Sequence, residues 1–185
     1  MADRDSRRAI FLINGTQGAG KSTVGRLLAE RFDRAASIDA DDLERIVVSG
    51  RAPIEPPLSP EAEHQLRLRA QVASRIADIY FAAGFTVVIA EILVGRLDHF
   101  VSDIKSRPLI LVNLAPSLDI VKRRNEERPN KNVFEPWSPM LDRAMRETMS
   151  RVGLWLDNSN QSPDETVDEI IRRAWTEGLV RYRQG

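Results

Sequence analysis

Eight residues constrain this chain more than any others. Gly15 to Ser22 reads G-T-Q-G-A-G-K-S and fits the Walker A pattern G-x-x-x-x-G-K-[ST] without substitution. The pattern dictates backbone shape before it dictates chemistry. Its glycines let successive N–H groups turn inward into a nest that faces phosphate oxygens. The motif needs a strand before it and a helix after it, and both are legible. Ala9-Ile10-Phe11-Leu12-Ile13 is a continuous apolar run of buried-strand type. Val24, Leu27, Leu28 and Phe32 fall at i, i+3, i+4 and i+8, one face of a helix. The four fixed positions alone would match by accident in about one chain per hundred of this length. The flanking strand and helix make an accident rarer still. Gly15, Thr16, Gln17, Gly18, Ala19, Gly20, Lys21, Ser22 and Thr23 therefore form the expected phosphate cradle. Lys21 is expected at the β- and γ-phosphates and the Ser22 hydroxyl on Mg²⁺.

The rest of the chain alternates strand and helix. Ala36-Ser37-Ile38 is a short strand ending at Asp39, and a helix is expected from Asp41 to Val48. Pro53, Pro56, Pro57 and Pro60 then mark an extended loop. Ser59-Pro60 reads as an N-cap followed by proline at the first helical position. The helix it opens should run to about Ala83, with Leu66, Val72, Ala73, Ile76 and Tyr80 on its apolar side, and stop at Gly84. Thr86 to Ala90 and Leu109 to Leu114 are further buried strands, and Glu91 ends the first of them. A helix follows from Ser117 to about Arg128, another begins at Ser138-Pro139, and Val152 to Leu156 is the last strand. Ser162-Pro163-Asp164-Glu165 is a capping box. The helix it opens carries Val167, Ile170, Ile171, Ala174 and Trp175 on one face and ends near Gly178. Apolar strands separated by helices imply a parallel sheet covered on both sides. The expected architecture is a three-layer α/β/α sandwich around five parallel strands. Residues 1–8 are expected to form a disordered tail, and 9–185 one domain with a short lid at about 129–138.

Composition removes several alternatives. The 27 basic and 27 acidic residues cancel, which argues against nucleic acid or a membrane surface as the main partner. With no cysteine there is neither a disulfide framework nor a thiolate metal site. His64 and His99 match no ligand spacing, no apolar run approaches a membrane span, and a cytoplasmic location is expected.

Three features beyond the phosphate loop point to phosphoryl transfer. Asp39-Ala40-Asp41-Asp42 follows the second strand, where a carboxylate can take the proton of an attacking hydroxyl or, as a blander role, cap a helix. Glu91 closes a buried strand, where an acid can hold Mg²⁺ or pair with Lys21 or Arg96. Arg124 and Arg128 lie four apart at the base of a polar, proline-flanked loop and can close over a triphosphate. On these residues the chain resembles the nucleotide and small-molecule kinases of the P-loop superfamily. The likeness is closest to the chloramphenicol phosphotransferase-like proteins, at Asn14 to Thr23, Asp41-Asp42-Leu43, Gly84 to Leu93, Ala115 to Leu118 and Gly153 to Asp157. The resemblance implies a nucleoside-kinase-like fold and the cofactors ATP and Mg²⁺. It makes Asp41 the general base, Glu91 the Walker B-like acid, and Arg124 and Arg128 the lid arginines. Asp39 remains a second candidate base and Arg96 a candidate substrate contact. Glu91 departs from the family, where Asp is commoner. No guanine-reading N-K-x-D occurs, since Asn130-Lys131-Asn132 is followed by Val133. The implied activity is ATP-dependent phosphorylation of a hydroxyl on a small antibiotic or metabolite. A nucleotide-dependent regulatory module and a sugar-nucleotide kinase of the zeta-toxin type are the alternatives.

Overall fold

The computed structural model describes residues 7–55, 57–127, 137–150 and 152–180. Five strands form one all-parallel sheet: β1 (Ile10–Gly15), β2 (Ala35–Asp39), β3 (Thr86–Ala90), β4 (Leu109–Leu114) and β5 (Leu154–Leu156). Their spatial order is β2-β3-β1-β4-β5, so the strand leading into the phosphate loop is central. Alternate residues of β1 face opposite cores. Phe11 and Ile13 pack with α1 (Lys21–Glu30) and α7 (Pro163–Glu177). Ile10 and Leu12 pack with α3 (Pro60–Ala82), α4 (Leu97–Asp103) and α6 (Trp137–Met149). Two apolar faces explain why the strands read as unbroken hydrophobic runs rather than alternating ones. This is the expected three-layer sandwich. Among the described residues no helix is long and apolar enough to cross a membrane.

Most expected elements stand, and the departures have local causes. α2 spans Ala40–Arg45, starting a residue early because the Asp39 side chain accepts from Asp41 N and caps it. It stops short of Val48, its last turn tightening as Ile46 N and Val47 N bond to Leu43 O and Glu44 O, three residues back. Along α3 the buried stripe is Ala62, Leu66, Ala70, Ala73 and Ala77, whereas Val72 and Tyr80 are exposed. β5 begins at Leu154 because Gly153 sits at φ 78° against Leu111, where a Cβ would lie 2.7 Å from its carbonyl oxygen. α4 is not foreseen by the sequence pattern. α5 (Leu118–Glu126) is capped by Ser117, and α7 carries the full Ser162–Glu165 capping box.

The expected tail reaches Arg8, and residues 1–6 lie outside the described residues. Arg7 and Arg8 themselves stack on Trp175 and Phe81, with ring centroids 4.5 and 5.1 Å from the guanidinium carbons. The expected lid lies largely outside the described residues. Of its span only Trp137 and Ser138 are described, and they form the start of α6.

One buried amide ties the sheet together where it meets the phosphate loop. Asn14 Nδ2 donates to Asn113 Oδ1 at 2.8 Å, joining β1 to β4. Its Oδ1 accepts from Leu93 N at 2.9 Å, which fixes the turn after β3.

Candidate active site

The phosphate loop leaves β1 at Gly15 and delivers the chain into α1. Gly20 is the helix N-cap at φ 97°, no side chain caps the helix, and its first turn holds no acidic residue. The N–H groups and the positive end of the helix dipole are thus left for an anion. Gly18, at φ 86°, passes beneath α5 so closely that a Cβ there would lie 2.8 Å from both Asn125 Oδ1 and Val121 O. Glycine is required at that position on two grounds, conformation and space. Thr16 is buried and Gln17 half-buried, while Ser22 and Thr23 are exposed on the first helical turn. Lys21 Nζ donates to Thr16 O at 3.0 Å, folding the ammonium back along the loop.

The loop is braced from outside by residues the motif does not name. Asn125 Nδ2 donates to Gln17 O at 3.3 Å. Asn158, in the turn after β5, donates to Ala19 O at 3.1 Å. Arg124 donates to Ala19 O at 3.4 Å and to Asn158 O at 2.9 Å. Burial, and then the neighbouring Arg123, draw the Arg124 guanidinium below the usual arginine range, partly offset by Glu127. The Asn158 Oδ1 is buried and has no hydrogen-bond partner among the described residues. Arg128, expected beside Arg124, lies outside the described residues.

The acidic candidates stand at the neighbouring strand tips. Asp39 pairs in register with Ala90, and Ala90 with Ile13, so the carboxyl ends of β2, β3 and β1 lie side by side. Glu91 N donates to Ile13 O at 3.1 Å, which puts Glu91 one residue past that edge, beside the strand that feeds the loop. Asp39 is spent on the helix cap. Asp42 pairs with Arg45 at 2.6 Å. Asp41 is exposed, and its carboxylate makes no hydrogen bond or ion pair among the described residues.

Glu91 is buried and pairs with two arginines, the foreseen Arg96 and also Arg69, which the sequence did not suggest. Oε1 accepts from Arg69 Nη2 at 2.9 Å and from Ile92 N at 2.8 Å. Of the two expected partners, Arg96 lies 3.9 Å away. Arg96 is itself the N-cap residue of α4, and its Nη2 donates to Ile92 O at 2.5 Å. Burial lowers its pKa, the Glu91 charge acts in the opposite sense, and Arg69 adds to the lowering. Arg69 Nη1 reaches Glu44 on α2 at 3.1 Å, so one guanidinium joins the tip of β3 to α2.

No protein-family model matches the chain, and no curated protein matches it by sequence. Solved structures do. A sugar kinase from Janibacter sp. HTCC2649 superposes with a TM-score of 0.66 at 17% identity, over 90% of this chain and 94% of that one. The tunicamycin resistance protein of Deinococcus radiodurans gives 0.64 at 18% identity, over 95% and 100%. Shikimate kinase from Acinetobacter baumannii, in complex with shikimate, gives 0.62 at 24% identity, over 90% and 93%. At these identities the likeness establishes the fold alone, the all-parallel α/β sandwich that this chain shares with these structures.

Proposed function

We propose that the protein is an ATP-dependent phosphotransferase that moves the γ-phosphoryl group to a hydroxyl of a small molecule. The observation carrying this reading is that three adjacent strand tips present an uncapped phosphate loop, an uncommitted carboxylate at Asp41 and a buried acid at Glu91 on one edge of the sheet. The kinase names among the structural neighbours support it by analogy.

The residues fit a nucleotide. The loop is a nest closed by glycines, and the buried Asn158 Oδ1 beside it is an acceptor that an N–H of the base would satisfy. In the proposed reaction the acceptor oxygen bonds to the γ-phosphorus as the bond from that phosphorus to the β–γ bridging oxygen breaks, and ADP leaves. The hydroxyl proton passes to the Asp41 carboxylate, with Asp39 the alternative recipient. Lys21 holds the β- and γ-phosphates, with Arg124 and Arg128 assigned to the transferring charge and Arg96 to the acceptor side. Mg²⁺, if bound, would neutralise phosphate charge, and the Ser22 hydroxyl and Glu91 are the groups that would hold it.

The test is transfer of label from [γ-³²P]ATP to hydroxylated compounds, by wild type and Lys21→Ala. We expect ATP turnover to depend on acceptor. Lys21→Ala should lose about 10²–10³ of that rate, the loss seen when one transition-state donor is removed. Its melting temperature should stay at the wild-type value. Transfer undiminished in the folded variant would refute the assignment of Lys21. Turnover indifferent to every acceptor would favour a regulatory module instead.

A further inference from the structure

The carboxyl end of the sheet holds a polar device that plays no part in the proposed reaction. Asn14 and Asn113 are paired in register on β1 and β4, and both are fully buried. Leu93 N donates to Asn14 Oδ1 at 2.9 Å, Asn14 Nδ2 to Asn113 Oδ1 at 2.8 Å, and Asn113 Nδ2 to Val152 O at 2.9 Å. Asn14 Nδ2 also donates to Met149 Sδ, 3.6 Å away on α6. Donation runs one way along the whole series. Turning either carboxamide over would set N–H against N–H at one contact and oxygen against oxygen at another. Both amides are thereby held in one orientation by their neighbours.

Holding the sheet together does not require this arrangement. β1 and β4 already pair in register from Ile10 opposite Leu109 to Gly15 opposite Leu114. A buried pair of polar groups exchanged for apolar groups of the same shape is often close to neutral for stability. What an apolar pair cannot supply is an acceptor for Leu93 N. From the β3 side, Val87 N and Glu91 N donate to the main-chain oxygens of Ala9 and Ile13. Beyond Ile13 the chain of β1 is about to leave the sheet for the phosphate loop, and the Asn14 side chain takes over as acceptor. The peptide so held lies next to the buried acid. Ile92 N donates to Glu91 Oε1 at 2.8 Å, and Leu93 O accepts from Arg96 N at 2.8 Å. Asn14 thus fixes the turn 91–93 from the residue immediately before Gly15, where the phosphate loop begins.

We infer that Asn14 is a positioning residue: its carboxamide sets the Glu91 carboxylate at a fixed place relative to the phosphate loop, where that acid serves Mg²⁺ and nucleotide. It acts through Glu91 rather than on the reacting atoms. The inference rests on the role given to Glu91 in the phosphotransferase reading and adds the residue that aims it.

The experiment reads melting temperature, amide exchange at Leu93, and the Mg²⁺ concentration that half-saturates the binding of a fluorescent ATP analogue, mant-ATP. The proteins are wild type, Asn14→Leu, Asn113→Leu and Glu91→Gln. Both leucine variants leave buried partners unmade and should melt about 5 °C lower. Asn14→Leu should speed exchange at Leu93 by about tenfold or more. It should also raise the Mg²⁺ requirement about tenfold, as Glu91→Gln does, the scale seen when an outer-shell partner of a metal site is removed. Asn113→Leu leaves the bond from Leu93 N to Asn14 in place and should change either readout by less than about twofold. If Asn14→Leu does not fold, Asn14→Ser, whose hydroxyl stops short of Leu93 N, takes its place with the same expectation. Equal Mg²⁺ shifts in the Asn14 and Asn113 variants would make Asn14 a general support of the fold and overturn the inference. So would a wild-type Mg²⁺ requirement or a protected Leu93 amide in the Asn14 variant while Glu91→Gln still shows its shift, a result that leaves the phosphotransferase intact. An unaltered requirement in Glu91→Gln, or no binding of mant-ATP by the wild type, would instead strike the phosphotransferase reading, and the inference with it.

Discussion

At the scale of single residues, the sharpest distinction is between neighbouring aspartates. The sequence shows three carboxylates within four positions but not which of them is bent back on its own backbone. The fold separates them, because Asp39 caps α2, Asp42 pairs with Arg45, and Asp41 is uncommitted. Asp41→Asn should therefore lower kcat by about 10²–10⁴ with little change in the KM for ATP, the range of general-base catalysis. Asp39→Asn preserves the cap, since Asn caps as well as Asp, and should leave both stability and rate near wild type. Steady-state kinetics and thermal melts on the two variants decide the matter. A crippled Asp39→Asn beside a normal Asp41→Asn would reverse the assignment. The phosphate-loop residues were legible because their spacing is itself the signal. Arg69, Asn125 and Asn158 were not, because a helix arginine and two loop asparagines carry no local pattern. They reach the site only through the tertiary path that packs α3, α5 and the β5–α7 turn around it.

At the scale of elements, strands β3 and β4 and helix α7 were readable to the residue, since β-branched runs and a capping box each bound an element at both ends or at its start. The face of α3 was misjudged because large apolar side chains were weighted over small ones. The helix approaches the sheet through alanines, and Val72 is left exposed. α4 escaped notice because a seven-residue helix holding one fully buried residue, Phe100, leaves too short a period to read. How α3 meets the turn after α4 yields a test. Asp78 accepts from Lys105 N at 3.1 Å and from Ser106 N at 2.8 Å. Burial alone would raise its pKa, but those N–H groups, with Arg75, hold it below the ordinary carboxylate value. With the folded-state pKa depressed, the ionised group stabilises the fold above the carboxylate range, and that contribution fades as pH falls through the depressed value. Asp78→Asn should cost about 1 kcal/mol at pH 7, and the gap should close only as the solution is acidified through and below the ordinary carboxylate value. Urea melts across that range give the curve, and a gap independent of pH would remove the charge from the explanation.

At the scale of the molecule, the sandwich and its five parallel strands followed from the alternation of apolar runs and helices, but the strand order did not. Which strand lies beside which is set by crossover packing, and it is this order that sets the tips of β2 and β3 beside the phosphate loop. Arg69 gives that arrangement a thermodynamic consequence. Its guanidinium touches Glu91, next to the strand carrying the loop, and Glu44, on α2. A change at either carboxylate would be felt by the guanidinium they share, so nucleotide and acceptor are expected to be linked by a single coupling free energy. Whatever factor an acceptor multiplies the nucleotide affinity by, nucleotide must multiply the acceptor affinity by the same factor. Titrating each ligand with and without the other should give matching ratios in the wild type, and ratios near unity in Arg69→Lys, which cannot span both carboxylates. Ratios unchanged by that substitution would mean the two sites communicate by another route. Matching ratios that collapse in the variant would mean that each substrate raises the grip on the other through a residue that touches no phosphate.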